Sequence, residues 1–91
     1  MLESELQKKI IKLLKKNGWI TIKNISVSVS GWPDISAYKN GKAIFIEVKK
    51  TGLKPEPIQY YYLNELLTHG FDAFYIDNYN EMKIKLLNIQ K

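Results

Sequence analysis

The sequence predicts an α/β fold in which a small mixed β-sheet is flanked by helices, and three observations predict it. An amphipathic pattern occupies Glu3 to Asn17, Asn40-Gly41 sits between two alternating apolar runs, and a second helical pattern separates Ala43–Lys49 from the apolar run Phe71–Ile76. An Asn-Gly turn joins its strands antiparallel. A helical crossover lets the strand after it lie parallel, so the two connections together make the sheet mixed.

Glu3 to Asn17 reads as a helix with Leu6, Ile10, Leu13 and Leu14 on one side and Lys8, Lys9, Lys12, Lys15 and Lys16 mostly around the rest. Gly18 follows as a C-cap, and the terminal lysines complement the helix dipole. Trp19 to Val29 carries Ile20, Ile22, Ile25, Val27 and Val29 separated by Thr, Lys and Ser. The alternation from Ile25 to Val29 predicts a strand, with a bulge or bend at Lys23-Asn24. Ser30-Gly31-Trp32-Pro33 interrupts this pattern and Ile35 to Tyr38 resumes it.

Lys39-Asn40-Gly41-Lys42 predicts a type I′ hairpin turn, because Asn and Gly tolerate its positive φ angles. Ala43 to Lys49 is the most hydrophobic strand and is expected at the centre of the sheet. Pro55 and Pro57 mark a turn, the second placed to open a helix from about Ile58 to Thr68. Leu63, Leu66 and Leu67, with Tyr60 or Tyr62, are expected on its buried side. His69-Gly70 closes that helix, Phe71 to Ile76 forms the parallel strand, and Met82 to Ile89 fits either a last strand or a short helix.

At 91 residues and 45% hydrophobic content, the chain supports one domain, residues 1–91, with a modest core. Homodimerisation is expected as a way to add interface and cover sheet edges. The absence of cysteine excludes disulfides and thiolate metal sites, and His69 alone cannot form a histidine cluster. Any metal must then be held by oxygen. No apolar run approaches the roughly 18 residues that span a bilayer. Met1-Leu2-Glu3-Ser4-Glu5 does not read as a secretory signal, so no membrane association and a cytoplasmic location are the default expectation. The net charge of +5 comes with 14 basic residues, all lysine. That sign favours a polyanion such as DNA or RNA. Lysine suits phosphate oxygens, whereas arginine is the commonest reader of guanine edges, so recognition by backbone and shape is expected.

Residues two apart in a strand share a face, so Glu47 and Lys49 project together while Ile44, Ile46 and Val48 face the other way. A two-residue turn at Asn40-Gly41 sets position 34 opposite position 47, which makes Asp34 and Glu47 facing cross-strand neighbours. Two facing acids raise each other's proton affinity unless a cation offsets them. Mg²⁺, with Mn²⁺ substituting, accepts carboxylate and main-chain oxygens while keeping waters. Asp34, Glu47 and the carbonyl of Val48 form an incomplete shell of that kind. Lys49 would lie beside the attacking water or the attacked phosphate. On geometry alone, a salt bridge between Glu47 and Lys49 or Lys50 accounts for the same residues.

Gly31-Trp32-Pro33-Asp34, Glu47-Val48-Lys49 and Gln59 resemble the pattern of the PD-(D/E)xK nucleases, and within them the small stand-alone VRR-NUC domains. The likeness runs from the first helix to about Ile76. The valine-arginine-arginine element that names the subfamily has no counterpart in this arginine-free chain. The resemblance implies a restriction-endonuclease-like core and a Mg²⁺-dependent DNA endonuclease that hydrolyses phosphodiester bonds, with branched DNA such as the four-way Holliday junction as substrate. It implies Asp34 and Glu47 as metal ligands, Lys49 as the catalytic lysine and Gln59 as a supporting group from the following helix. Glu3 aligns best with the family's first-helix glutamate and is expected at the metal, with Glu5 the alternative and helix capping the plain one. A noncatalytic DNA-binding module that kept the fold is the alternative reading.

Lys39, Lys42, Lys50 and Lys54 surround the site in sequence as phosphate contacts, or are simply solvated. Trp32 is expected either to wedge against a base or to cover the end of the core. Tyr60, Tyr61 and Tyr62 spread around their helix, at least one of them packing on the sheet.

Overall fold

The hairpin turn sets the sheet. Asn40 and Gly41 both have positive φ, 50° and 78°, and the turn pairs Lys39 with Lys42 and, four steps on, Ile35 with Ile46. The computed structural model describes residues 1–91. Its elements run α1 (Glu3–Lys16), β1 (Ile20–Lys23), β2 (Ile35–Lys39), β3 (Lys42–Val48), α2 (Pro57–Thr68), β4 (Asp72–Ile76) and α3 (Tyr79–Ile89). The sheet order is β1-β2-β3-β4, antiparallel between β1 and β2 and between β2 and β3, and parallel between β3 and β4. β3 is therefore interior, as its apolar run predicts.

The alternation along β3 divides the core in two. Ile44, Ile46 and Val48 face α1 and α3, where Leu6, Ile10 and Leu14 are fully buried together with Met82 and Leu86. Each such aliphatic side chain contributes roughly 1.5–3 kcal/mol by leaving water. Phe45 faces the other way, onto Leu63 and Leu66 of α2 and Ala73 of β4. Glu47 lies on this second face, beyond Phe45.

Both long helices end by the same device. Gly18 and Gly70 adopt φ of 86° and 89°. The residue after each donates back to the helix, Trp19 N to Leu14 O and Phe71 N to Leu66 O, at 3.0 Å each. This is the Schellman closure, and it drops an aromatic residue directly into the next segment.

Two expectations are corrected and one open alternative is decided. Ile25 to Val29 form no strand: β1 stops at Lys23, and the chain to Asp34 is an irregular loop in which Ile25 is 84% exposed. Pairing with β2 runs out one step later, where the Asn24 main-chain N–H donates to Asp34 O at 2.7 Å and its side chain to Pro33 O at 2.9 Å. β2 begins at Ile35, opposite Lys23, so no partner strand is available to the alternating residues beyond. Leu67 is exposed: it lies 100° around the helix from Leu66, at the edge of the face that Leu63 and Leu66 turn to the sheet. The ambiguous C-terminal segment is α3, opened by Asn78, whose Oδ1 accepts from Glu81 N at 2.9 Å.

Candidate active site

Asp34 is held where β2 begins. Gly31 has φ 87°, and a Cβ there would lie 2.9 Å from two side-chain carbons of Ile58. Only glycine lets the loop approach the first turn of α2 so closely. Pro33 is fully buried behind it. Asp34 then accepts from the main-chain N–H of Val48 through Oδ2 at 2.8 Å. The carboxylate thus takes the place of a backbone partner one step beyond the last β2–β3 pair. In a strand the N–H and C=O of one residue point to the same edge, so the main-chain unit of Val48 faces Asp34.

Glu47 is 2% exposed. Its Oε2 accepts from Gln59 Nε2 at 2.8 Å and lies 3.6 Å from Lys49 Nζ. Its Oε1 is buried without any hydrogen-bond partner. Burial pushes the carboxyl up from its ordinary value of 4.5 to about 8, the facing charge of Asp34 adds to this, Lys49 opposes it and Glu3 adds a smaller push. The carboxyl of the metal-free protein therefore holds its proton at pH 7.

Gln59 belongs to two structures at once. Its Oε1 accepts from the N–H of Glu56 at 2.8 Å, capping the start of α2. That bond turns the amide nitrogen toward Glu47, so the helix cap also orients the carboxylate. Lys49 ends the constellation, its own N–H donating to Ile76 O at 2.9 Å.

These residues fit a hard divalent cation. A buried carboxylate oxygen without a partner costs several kcal/mol unless something positive meets it. The oxygens of Asp34 and Glu47 and the main chain of Val48 offer the donor type that Mg²⁺ takes, the rest of its shell being water or substrate. No three acids or histidines cluster closely enough to bind a metal by side chains alone. Glu3, half-buried at the start of α1, is felt by Glu47 as charge and does not complete such a cluster.

The predicted nucleic-acid contacts separate. Lys50 and Lys54 are exposed in the segment that follows β3 at the site. That segment is pinned to the end of β4 by Asp77, whose Oδ2 accepts from Gly52 N at 3.0 Å and whose main-chain O accepts from Thr51 Oγ1 at 3.1 Å. Trp32 is half-buried and meets Phe45 and Tyr62 edge-on at 5.8 and 5.7 Å. It covers the end of the smaller core. Lys39 and Lys42 stand at the opposite end of β3, roughly 16 Å from Glu47 at 3.3 Å per residue. Lys39 Nζ donates to Asn17 O at 2.6 Å and Lys42 Nζ to Ile89 O at 3.1 Å, so both tie the hairpin to helix ends.

Tyr75 is a neighbour of the site that no local sequence pattern marks. It is paired with Glu47 across β3 and β4, and its ring meets Tyr60 edge-on at 6.2 Å. Burial raises its hydroxyl above the ordinary tyrosine value. Only the parallel register identifies it, and that register is set by the packing of the crossover helix. Asp77 is hidden in the sequence for a similar reason, since it acts on a segment 25 residues away.

No family model matches the chain. It is 34% identical over 77 residues to "Putative nuclease p44" of Acyrthosiphon pisum secondary endosymbiont phage 1, a match spanning 84% of this chain and 83% of that protein. It superposes on a solved "VRR_NUC domain" with a TM-score of 0.84 at 24% identity, covering 97% of this chain and 96% of the other.

Proposed function

The chain belongs to the nuclease family of the phage protein p44 and has the PD-(D/E)xK fold in its VRR-NUC-like form, and from that premise we propose a Mg²⁺-dependent DNA endonuclease acting on structured or branched DNA. The observation that carries the reading is the partnerless, buried Oε1 of Glu47, a carboxyl whose proton affinity the charge of a second acid, Asp34, raises. A module that only bound phosphate would gain nothing from two carboxylates beside it.

Asp34, Glu47 and the Val48 carbonyl hold the cation in this reading, which when bound supplies an oriented, acidified water and offsets charge on the phosphate. Gln59 fixes the Glu47 carboxylate. Lys49 places its ammonium beside that carboxylate, where it orients the attacking water or offsets charge on the phosphate. Lys50 and Lys54 flank the mouth as phosphate contacts. A homodimer is supported by the open edge of β1, where Ile20, Ile22 and the neighbouring Ile25 are exposed. Two sites in one dimer would allow paired cuts.

The test is a cleavage panel of single-stranded, duplex, flap and four-way DNA with Mg²⁺, with Mn²⁺ and with neither. Cutting is expected only with metal, and Glu47→Ala and Lys49→Ala are expected to abolish it while DNA binding persists. Undiminished cutting by both variants removes the assigned site. Light scattering that shows only monomer, with and without junction DNA, removes the dimer.

A further inference from the structure

The charge of +5 is concentrated on two helices. α1 carries Lys8, Lys9, Lys12, Lys15 and Lys16 against Glu3 and Glu5, and α3 carries Lys83 and Lys85 against Glu81. Seven lysines against three acids leave a net +4 there and only +1 on the rest of the protein. All seven lysines are exposed, and none is ion-paired, because the one salt bridge in the structure joins Lys49 to Glu47.

The arrangement is ordered along the helix. Steps of four residues set Lys8, Lys12 and Lys16 about 6 Å apart in a row, with Lys15 beside them. Leu6, Ile10 and Leu14 occupy the opposite, fully buried side. Where α1 meets α3, Lys9 and Lys83 both stand over the ring of Tyr79, at 4.7 and 5.2 Å. Like charges at four-residue spacing destabilise a helix by a few tenths of a kcal/mol per pair. The row Lys8, Lys12 and Lys16 carries this repulsion in the free protein, and an anionic partner removes it.

We infer that the outer face of α1, with the adjoining edge of α3, binds the phosphate backbone of a DNA segment other than the one at Glu47. This rests on the nuclease reading and extends it to a second arm of the substrate. α1 packs through Leu6, Ile10 and Leu14 into one core with Ile44, Ile46 and Val48, so it lies against the strand that carries the site. It ends at the hairpin, where Lys39 holds the carbonyl of Asn17. It also lies on the sheet face opposite α2 and Gln59. A segment running along α1 therefore leaves the mouth of the site and passes behind the sheet, which a branch permits and a single straight duplex does not. The occupant is nucleic acid rather than a membrane, because the apolar stripe of α1 is buried in the core and unavailable to lipid.

The experiment measures binding of the full chain to a labelled four-way DNA junction in EDTA between 50 and 200 mM salt. Removing one lysine that neutralises a phosphate flattens the slope of log K against log salt by about 0.9. Lys8→Gln/Lys12→Gln is expected to flatten it by about 1.8 and to weaken binding at least tenfold at the lowest salt, with the helix retained by circular dichroism. Lys23→Gln/Lys91→Gln removes equal charge from exposed positions outside the two helices and is expected to leave the slope unchanged. Equal slopes for the two double variants, or no effect of the α1 pair, overturn the inference. So does a result in which the α1 pair lowers binding to phosphatidylserine vesicles only. Failure of the parent protein to bind any DNA removes the nuclease reading as well. Binding that depends on α1, without metal-dependent cleavage, removes that reading and leaves the surface standing.

Discussion

Glu47→Gln should make the metal-free protein more stable at pH 8 while removing its proposed activity. The folded carboxyl titrates near 8 and the unfolded one near 4.5, so between those values the folded state binds a proton that the unfolded state has lost. Stability from this group is then fully present below pH 4.5 and is lost as pH rises through 8. At about 1.4 kcal/mol per pH unit the whole loss is roughly 4–5 kcal/mol, comparable with the stability of a small domain. A glutamine keeps the shape and can still accept from Gln59, but it carries no charge to desolvate. Urea denaturation in EDTA from pH 5 to 9 measures this, and the difference between parent and variant cancels the other titrating groups. The parent curve should fall relative to the variant across that range, leaving the variant ahead at pH 8 and above. Mg²⁺ at a hundred times its dissociation constant should return about 2.7 kcal/mol to the parent and nothing to the variant. Parallel pH curves, or a variant weaker than the parent at pH 8, would refute the claim that ionised Glu47 is an unsatisfied buried charge.

Metal binding at pH 7 should release close to one proton, because the cation displaces the one on Glu47. Calorimetry with Mn²⁺ in two buffers of different ionisation enthalpy would show it, and no buffer dependence would contradict it. Gln59→Leu should weaken Mn²⁺ binding about 10–100-fold, as loss of a group orienting a ligand does, and should cost about 1 kcal/mol in a melt through the lost helix cap. Gly31→Ala should cost roughly 1–3 kcal/mol, from the positive φ and the clash with Ile58. Adding Ile58→Ala should recover the steric part only. Full additivity of the two losses would show that the close approach is unimportant.

Whatever is settled within a few residues was legible in the sequence. Asn40-Gly41 demands a two-residue turn, and once that turn exists the register that ends with Ile35 opposite Ile46, one step short of residues 34 and 47, follows from counting. The same locality made α1, its glycine stop and the proline start of α2 readable. Asp34, Glu47, Lys49 and Gln59 could be read as one group because a single hairpin and a single crossover bring them together. Alternation misled at Ile25 to Val29, since a strand needs a partner and β2 begins at Ile35, opposite Lys23. Three features came from the packing of distant segments alone: Lys39 and Lys42 serve helix ends at the far end of the sheet, Tyr75 stands beside Glu47, and the lysines of α3 join those of α1 around Tyr79. Each depends on the distance between parts of the chain remote in sequence, whereas periodicity and turn chemistry report only a residue's near neighbours. The desolvation of Glu47 belongs to the same class: the letter is an ordinary acid, and burial by α2 and β4 makes it one that holds its proton at neutral pH.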